Sequence, residues 1–388
     1  MAAVAEKIKV PELRLPEFSG GWVETRLGEI ATSYQPKTLS RSELSESGFP
    51  VYGANGLIGF HSLYNHEFLE VAVTCRGSSC GEVSLIPPKS WITGNAMVVS
   101  PKSDAIDKYF LYHALNNARL EYLITGSGQP QITSVINTHK ISFPEILEQQ
   151  KIAEFLTAVD ERIVKLTRKK ELLEEYKKGT MQKLFSQEIR FKAEDGSDFP
   201  DWENRRMGDF LSEHGEKSKG NEPVFSVSVH KGLVDQIEHL GRSFAASDTS
   251  HYNRINPDDV VYTKSPTGDF PYGIVKRNQS GVAAIVSPLY GVFEPESKGL
   301  GIWLNEYFSS TANTHNYLHS IIQKGAKNTI NITNRTFLSK ELKVPLDFEE
   351  QTKIGQCFSE MNHRIDALAE QINKAQEFKR GLLQKMFV

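Results

Sequence analysis

Two short polar turns carry the side chains best suited to contacts with a nucleic acid. They read Arg76-Gly77-Ser78-Ser79 and Lys264-Ser265-Pro266-Thr267, and each lies between two apolar runs typical of β-strands. A cation with hydroxyl groups on such a turn suits phosphate oxygens and base edges. Two later loops add further polar side chains, namely Gln129, Gln131, Lys327, Asn328 and Asn331. Because amides form paired hydrogen bonds with adenine, the four segments together form a predicted DNA-contact set.

Catalytic signatures are missing from the sequence. No Gly-Lys pair occurs, so a phosphate-binding loop of the Walker type is excluded. No Asn-Pro-Pro-aromatic or Asp-Pro-Pro-aromatic run is present to hold a target adenine, and Asn256-Pro257-Asp258-Asp259 is better interpreted as a turn before a strand. The carboxylates Asp258, Asp259, Glu349 and Glu350 fit solvated turns or a helix start better than an acid–base pair. We therefore expect no catalytic residue.

A metal site is the alternative chemistry that the sequence offers. Its candidate ligands are His61, His66, Cys75 and Cys80. Their spacings are wider than those of common zinc sites, and the two cysteines bracket a turn. Small packed residues at strand ends explain the cysteines better, so no metal ligand is predicted.

Composition describes an ordinary soluble protein. The 388 residues are enough for two or three domains, with 24% charged and 39% hydrophobic residues. No signal peptide and no run of membrane-spanning length is found, and three cysteines suit a reducing cytosol, which predicts a cytoplasmic protein. The net charge of −3 indicates that any DNA-binding surface is local, or that partners supply positive charge.

The predicted contact turns belong to two regions that share one order of elements. Strands are predicted at residues 68–74, 82–86 and 96–99, and again at 259–263, 273–276 and 282–286. The first region continues with a helix over residues 107–122 and the loop 126–132. The second continues with a helix around Trp303 to Ile321 and the loop 325–332. The sequence therefore predicts two domains that share one order of elements but differ in sequence.

A long amphipathic segment follows each region, and this segment occurs twice. Residues 148–185 align without a gap to residues 350–387, with thirteen identities in thirty-eight positions. Each copy carries a heptad seam, which predicts two long helices packed on each other. The seam begins with Ile152, Leu156, Val159, Ile163 and Leu166 in one copy, and with Ile354, Phe358, Met361, Ile365 and Leu368 in the other. Where Lys177 and Lys379 interrupt the seam, Tyr176 and Phe378 are predicted to continue it.

A short lead-in before each region is also duplicated. Pro16, Trp22 and Gly28 correspond to Pro200, Trp202 and Gly208. The bulky tryptophan predicts a buried anchor at the entry to each domain. Repetition of lead-in, domain and helix in the same order indicates an internal duplication of the whole chain.

These duplicated segments resemble the specificity (S) subunits of type I restriction–modification enzymes. The resemblance rests on the lead-ins, the loop Gly126-Ser127-Gly128-Gln129-Pro130-Gln131-Ile132, the Glu-Gln-x-Lys-Ile helix starts, the helix ends and their second copies. It covers essentially the whole chain. The second copy departs from the pattern at Gly325 to Thr329, where the amino-acid sequence differs from that of the first loop.

The resemblance implies an α+β fold of two similar α/β target recognition domains and an antiparallel coiled coil, related by a pseudo-twofold repeat. The expected segments are a first domain (1–144), a first long helix (145–187), a linker (188–198), a second domain (199–345) and a second long helix (346–388). Each domain would read half of a bipartite, asymmetric double-stranded DNA target. About 37 helical residues give a rod of ~55 Å, enough to span more than one turn of DNA and fix the spacer.

The partners implied by the resemblance are two modification (methyltransferase) subunits and the restriction subunits. S-adenosylmethionine, ATP and magnesium would be bound by those partners and not by this chain.

Two other interpretations of the sequence are weaker. A coiled-coil adaptor does not explain two large divergent domains, and a free-standing nuclease needs a metal or nucleotide site that the sequence lacks.

Overall fold

The computed structural model describes residues 9–126, 128–229, 231–242, 245, 248–265, 267–324 and 330–388. The chain forms two compact units. Unit 1 contains Met1–Arg168 together with Ala369–Val388, and unit 2 contains Lys169–Leu368. Within the described residues, no helix combines the length and apolar character that crossing a membrane requires.

Unit 1 is built around an antiparallel four-stranded sheet. Its elements are β1 (Val23–Arg26), α1 (Leu27–Ile30), β2 (Ala31–Tyr34), β3 (Phe49–Gly53), β4 (Gly56–His61), β5 (Glu70–Thr74), β6 (Val83–Ile86), β7 (Trp91–Ile92), β8 (Ala96–Pro101), α2 (Lys108–Asn117), β9 (Lys140–Phe143) and the first part of α3 (Ile146–Phe185). The main sheet has the order β2-β8-β5-β6. A second sheet has the order β4-β3-β7, and β1 pairs with β9.

Unit 2 repeats the main sheet with other residues. Its elements are the rest of α3, then β10 (Glu203–Arg206), β11 (Leu211–Glu213), β12 (Phe225–Ser228), β13 (Gly232–Asp235), α4 (Gln236–Leu240), β14 (Asn253–Ile255), β15 (Val260–Thr263), β16 (Ile274–Arg277), β17 (Ala284–Val286), β18 (Gly291–Pro295), α5 (Lys298–Tyr307), α6 (Thr311–His319), β19 (Gln323–Lys324), β20 (Ile330–Asn331), α7 (Asn334–Ser339), β21 (Glu341–Val344) and the first part of α8 (Phe348–Met386), whose remainder belongs to unit 1. The sheet order β11-β18-β15-β16 matches β2-β8-β5-β6 strand for strand. The small sheet β10-β21 likewise matches β1-β9, while β12-β13, β14-β17 and β19-β20 form separate pairs. The predicted class, α+β with two similar domains and two long helices, is confirmed.

Burial explains why the central strands could be found in the sequence. All residues of β5 and of β15 are buried, and both strands are rich in valine. A helix then packs on one face of each sheet. Asp107 caps α2 by accepting from the backbone N–H of Phe110, and Ser297 caps α5 in the same way through Leu300.

The helix predicted over residues 107–122 is shorter than expected. It ends at Asn117 because Arg119 has a left-handed backbone with φ of +48°, and a 3-10 turn, Leu120–Leu123, follows. The apolar spacing of residues 110–118 continues into that turn, so the sequence pattern does not mark the break. Leu120 and Leu123 still reach the core of unit 1.

Both lead-in tryptophans are buried anchors, as predicted. Trp22 is 3% exposed and Trp202 is 4% exposed, and each belongs to the core of its unit. The backbone N–H of Leu27 donates to the carbonyl of His139, and that of Met207 donates to Lys340. The duplicated lead-in therefore closes each domain by joining its first strand to its last.

Segments of α3 and α8 pack antiparallel inside each unit. In unit 1, Lys379 of α8 forms an ion pair of 2.6 Å with Asp160 of α3. In unit 2, Lys177 of α3 donates to Asn362 of α8 at 2.7 Å. Lys379 is 202 positions after Lys177, and Asn362 is 202 positions after Asp160. This is the offset that relates the two copies of the repeated segment. The internal repeat thus extends to the cross-helix contacts.

Half of the ten named seam residues are buried. Ile152, Leu156, Ile354, Phe358 and Leu368 are at most 6% exposed. The remaining seam residues are half-buried and comprise Val159, Ile163, Leu166, Met361 and Ile365.

The prediction that Tyr176 and Phe378 continue the seam is wrong. Tyr176 is 63% exposed and Phe378 is 56% exposed. Lys177 and Lys379 keep the seam positions themselves, because their ammonium groups reach polar partners across the interface. Two aromatic side chains at equivalent positions therefore face solvent.

The starts of both long helices hold buried polar groups. Glu148 is fully buried and accepts two hydrogen bonds from Arg14, at 2.8 and 2.6 Å. Glu350 is 1% exposed and is held in the same way by Arg190. The carboxylate of Glu350 thus lies at a helix start, as expected, but it is buried instead of solvated.

The next residue of each helix start is a buried glutamine that joins helix to domain. The side-chain amide of Gln149 donates to the carbonyls of Ala105 and Pro144, both at 2.9 Å, and its oxygen accepts from the N–H of Asp107 at 3.0 Å. Gln351 donates to Pro345 at 2.9 Å. The duplicated Glu-Gln pair is therefore a structural joint.

Close approach of α5 to α8 in unit 2 depends on glycine. A Cβ atom added at Gly299 would lie 2.6 Å from the backbone of Gln351, which has no room to move within its helix. Gly355, one turn further along α8, faces the Cα atom of Gly299.

We expect Gly299→Ala to lower the free energy of unfolding of unit 2 by about 1–3 kcal/mol, because the added methyl group overpacks the helix contact. Gly179→Ala is the matched control, since Gly179 lies in α3 of the same unit with open space around it. That control should be neutral or stabilising by up to about 1 kcal/mol. Urea unfolding of both variants measures the difference, and equal midpoints would contradict the close contact.

Candidate nucleic-acid interface

The predicted contact turn of unit 1 connects β5 to β6. Gly77 and Gly81 have φ values of +97° and +100°, a backbone region that glycine adopts without strain. The N–H of Cys80 donates to the carbonyl of Gly77 at 3.1 Å and closes the turn. Arg76 and Ser78 are exposed as a result, while Cys75 and Cys80 point into the core.

The structure brings the Gln129–Gln131 loop against this turn. The N–H of Gly77 donates to the carbonyl of Pro130 at 3.2 Å, and Arg76 and Gln131 form an isolated β-bridge. Ile132, which is fully buried, anchors the loop by donating to the carbonyl of Cys75 at 3.0 Å. Two stretches that are more than fifty residues apart therefore present one polar surface.

A third turn belongs to the same surface, and the sequence analysis did not predict it. The hydroxyl of Ser79 lies 3.2 Å from the carbonyl of Ala54 and 3.1 Å from Oδ1 of Asn55, in the turn between β3 and β4. Ser79 thus ties two turns together, and its proton is used within the chain. Asn55 is exposed beside it. The dipeptide Asn55-Gly56 between two strands is a hairpin signal that could have revealed this turn.

We name the exposed polar residues of these three turns the loop cluster of unit 1. It comprises Asn55, Arg76, Ser78, Gln129 and the half-buried Gln131. Arg76 forms no ion pair with any residue that the structure describes, so its guanidinium is available to a ligand. A free guanidinium flanked by amides and a hydroxyl matches the donors and acceptors of base edges and phosphates.

The thiols beneath the loop cluster are not poised for metal binding or nucleophilic attack. Burial raises the pKa of Cys75, although hydrogen bonding from Gln35 lowers it somewhat, and burial also raises the pKa of Cys80. His66 bonds to Tyr34 and Asn65 through its two ring nitrogens, and burial lowers its pKa. No group of three or more metal-ligating side chains occurs in the described part of the chain.

The predicted contact turn of unit 2 connects β15 to β16. Phe270 is 5% exposed and exchanges two backbone hydrogen bonds with Thr267, at 3.2 and 2.8 Å. Lys264, Ser265 and Thr267 are exposed on this turn. Among the residues with described positions, none forms an ion pair with Lys264.

The remaining predicted contacts of unit 2 are only partly described. Lys327 and Asn328 lie outside the described residues. The backbone of Asn331 pairs with Gln323 in the hairpin β19-β20, and its side chain is outside the description. Unit 2 therefore shows one exposed basic turn at the place where unit 1 has Arg76.

The carboxylates that precede β15, Asp258 and Asp259, differ from the expectation of solvated turns. Asp259 is 2% exposed and lies 2.8 Å from Nε2 of His214, and its burial raises its pKa. Asp258 has φ of +73° and is paired with Arg277. Both carboxylates hold the start of β15 in place, and neither faces the exposed turn.

Comparison with known proteins points to one family. The family model described as "Type I restriction modification DNA specificity domain" matches residues 19–175. The chain is also 28% identical over 212 residues to the type I restriction enzyme MjaVIII specificity subunit of Methanocaldococcus jannaschii, covering 49% of this chain and 48% of that protein. A putative MjaX specificity subunit of the same organism is 27% identical over 44% of this chain and 41% of its own length. These matches thus span about half the length of the curated relatives or less.

A solved structure shares the fold across the whole chain. It is the S subunit of a type I restriction–modification system from M. genitalium, with a TM-score of 0.69 and 16% sequence identity. The alignment covers 98% of this chain and 99% of that one. At this identity the likeness extends to the fold alone, and it supports the arrangement of elements described above.

We expect Arg76→Ala to reduce discrimination at one or two base pairs by about 1–3 kcal/mol, because a guanidinium that bonds guanine in two places has no substitute in alanine. Arg162→Ala removes an equally exposed cation from α3 and serves as the control for net charge. Selection from a pool of randomised duplexes measures base preference for both variants. Unchanged preference in Arg76→Ala would remove this residue from the interface.

Proposed function

We propose that this chain belongs to the type I restriction–modification specificity family, whose DNA specificity domain matches its residues 19–175, and that it reads a bipartite double-stranded DNA target for partner subunits. The observation that carries the proposal is the loop cluster of unit 1. Arg76, which has no ion-pair partner among the described residues, lies together with the amides, and the core of unit 1 includes none of these side chains.

The two units would read different halves of the target. Both have the same sheet order, and both place a cation with hydroxyls on the turn between the third and fourth strands of that order. The turns differ in sequence, since Arg76-Gly77-Ser78-Ser79 corresponds to Lys264-Ser265-Pro266-Thr267. Because base readout depends on the identity of such side chains, different turns would select different bases.

The long helices would set the spacing between the two halves. Helix α3 has 40 residues and contributes to both units, as does α8 with 39. Forty helical residues extend about 60 Å, which exceeds one turn of B-form DNA. The buried joints at Glu148 and Glu350 fix each helix start to its domain, so a recognition domain would have little freedom relative to its helix.

Catalysis would reside in partners. We propose that two modification subunits dock on this chain and supply S-adenosylmethionine-dependent methylation, and that restriction subunits add chemistry driven by ATP with magnesium. The complex would act in the cytoplasm, where the three free cysteines remain reduced.

A duplicated exposed face on the helices supports docking of two identical partners. Glu175, Tyr176, Gly179, Gln182 and Lys183 recur as Glu377, Phe378, Gly381, Gln384 and Lys385. With 3.6 residues per turn, each set forms one continuous stripe over about two and a half turns. Both glycines have open space, and the aromatic side chains are more than half exposed. Folding does not explain why these solvent-facing residues repeat, whereas one partner bound in two copies does.

Exchange of residues 26–143 for the same region of a related specificity subunit tests half-site reading. We expect one half of the methylated motif to change and the other half to stay, because unit 2 retains its own turn. The spacer should keep its length, since both helices are unchanged. Sequencing of methylated adenines in cells with the modification partner measures all three features. A change in both halves, or in the spacer, would contradict the proposal.

Substitution of the exposed aromatics tests docking. A single Tyr176→Ala or Phe378→Ala change should weaken one of the two partner sites by about 2 kcal/mol, roughly thirtyfold, because buried aromatic anchors dominate interfaces. Native mass spectrometry of the mixed subunits should then show one bound modification subunit in place of two. Phe68→Ala, which removes a 70% exposed aromatic from unit 1 away from the helices, is the control. Two subunits bound to the double variant would exclude this face.

A further inference from the structure

Unit 2 contains a polar cavity of about 630 Å³ next to its exposed basic turn. Asp269 and Phe270 at the end of that turn form part of its wall. Strand β16, the ends of α5 and α6, and the long helices provide the rest, including Lys177, Lys276, Asn305, Glu306, Thr311 and Asn362. Every lining residue belongs to unit 2, so the cavity is a feature of this unit by itself.

Lys276 differs from the other charged residues of the cavity wall because it is largely buried and has no charged partner among the described residues. The residue is only 8% exposed, and among the residues that the structure describes its ammonium has neither an ion-pair partner nor a hydrogen-bond acceptor. Burial lowers the pKa of Lys276, while the nearby carboxylate of Glu306 counteracts this effect. Lys276 is thus a largely buried side chain in the cavity wall whose charge has no partner in the described chain, and an anion in the cavity would compensate that charge.

Glu306 compensates the charge of Lys276 only in part, because its own oxygens already have other partners. Lys177 forms an ion pair with it at 2.5 Å. The side-chain amides of Asn305 and Asn362 donate to its other oxygen at 3.2 and 3.1 Å. Glu306 and Lys177 therefore neutralise each other, and Lys276 leaves the buried wall with one net positive charge.

The N-terminus of helix α6 adds a second feature that favours an anion. Thr311, the first residue of this nine-residue helix, lines the same cavity. Its N-cap, Ser310, accepts only from the N–H of Asn313. The other N–H groups of the first turn have no partner inside a helix, and the helix dipole is positive at this end.

The rim of the cavity carries both signs of charge. Asp269 and Asp366 are exposed acidic residues, and Lys231 is an exposed cation opposite them. Because these groups face solvent, their fields are screened more strongly than the field of a buried ammonium. Lys276 and the N-terminus of α6 therefore determine that the cavity favours a negatively charged ligand.

We propose that this cavity binds a small molecule carrying a phosphate group, with Lys276 and the first turn of α6 holding the phosphate. The volume suits a ligand of nucleotide size. The amides and hydroxyls of Gln279, Ser309 and Thr311 would contact its polar remainder. A backbone phosphate of duplex DNA has the same chemistry, but the burial of Lys276 favours a ligand small enough to enter the cavity.

Titration of the full chain with inorganic phosphate tests the site, with potassium chloride at matched ionic strength as the reference. Phosphate should raise the melting temperature of the natural protein and should leave that of Lys276→Met unchanged. Lys276→Met should fold, because an apolar side chain of similar length removes an unpaired buried charge. Lys276→Gln provides a second variant with the same expectation. Lys343→Met, which removes an exposed cation from β21 of the same unit, should keep the full phosphate response.

The dependence of duplex binding on salt separates the two sources of phosphate. If a small molecule occupies the site, Lys276→Met should keep the slope of log binding constant against log salt. A slope reduced by about one would place a DNA phosphate at Lys276 and overturn the proposal. Absence of any phosphate response in the natural protein, or an equal response in Lys276→Met, would also overturn it.

Discussion

Glu148 and Glu350 carry a negative charge into the interior at the first turn of each long helix, and an arginine meets each of them. The pairs lie where each long helix begins, next to the domain that precedes it. Truncation of one partner of a buried ion pair costs about 3–5 kcal/mol, because the other charge stays behind unpaired. The neighbouring Gln149 and Gln351 bind backbone carbonyls that end the preceding domain. A rigid connection between helix direction and domain orientation follows from these side chains.

That connection depends on buried side chains, whereas the polar side chains of the contact turns are exposed. The cores of both units use the same elements, and the lead-in tryptophans occupy the same place in each core. Side chains on the turn after the third sheet strand face solvent and contribute nothing to those cores. Such positions tolerate change without loss of stability, since surface substitutions usually alter the free energy of unfolding by less than about 0.5 kcal/mol. The turn residues can therefore vary without loss of the fold.

The sequence predicted the features that burial enforces. Valine-rich central strands and the heptad seam both leave patterns in the sequence, so β5, β15 and the seam were expected where they lie. Contacts between distant turns leave no such pattern, and the position of Asn55 beside Ser79 therefore required the structure. The exposure of Tyr176 and Phe378 was also missed, because a pattern shows apolar character but not whether a partner within the chain covers it. Glu350 was expected at a helix start, yet only the position of Arg190 explains its burial.

The composition of the two units has a consequence for biosynthesis. Unit 2 is one continuous stretch, Lys169–Leu368, and its core can close as soon as that stretch has left the ribosome. Unit 1 is discontinuous, and its core includes Leu382 and Met386 from a segment made about 200 residues after Arg168. Domains usually complete their folding in the order of synthesis. Here the order is reversed, and the domain translated first remains unfinished, with the apolar face of its half of α3 uncovered, until the second domain has already folded.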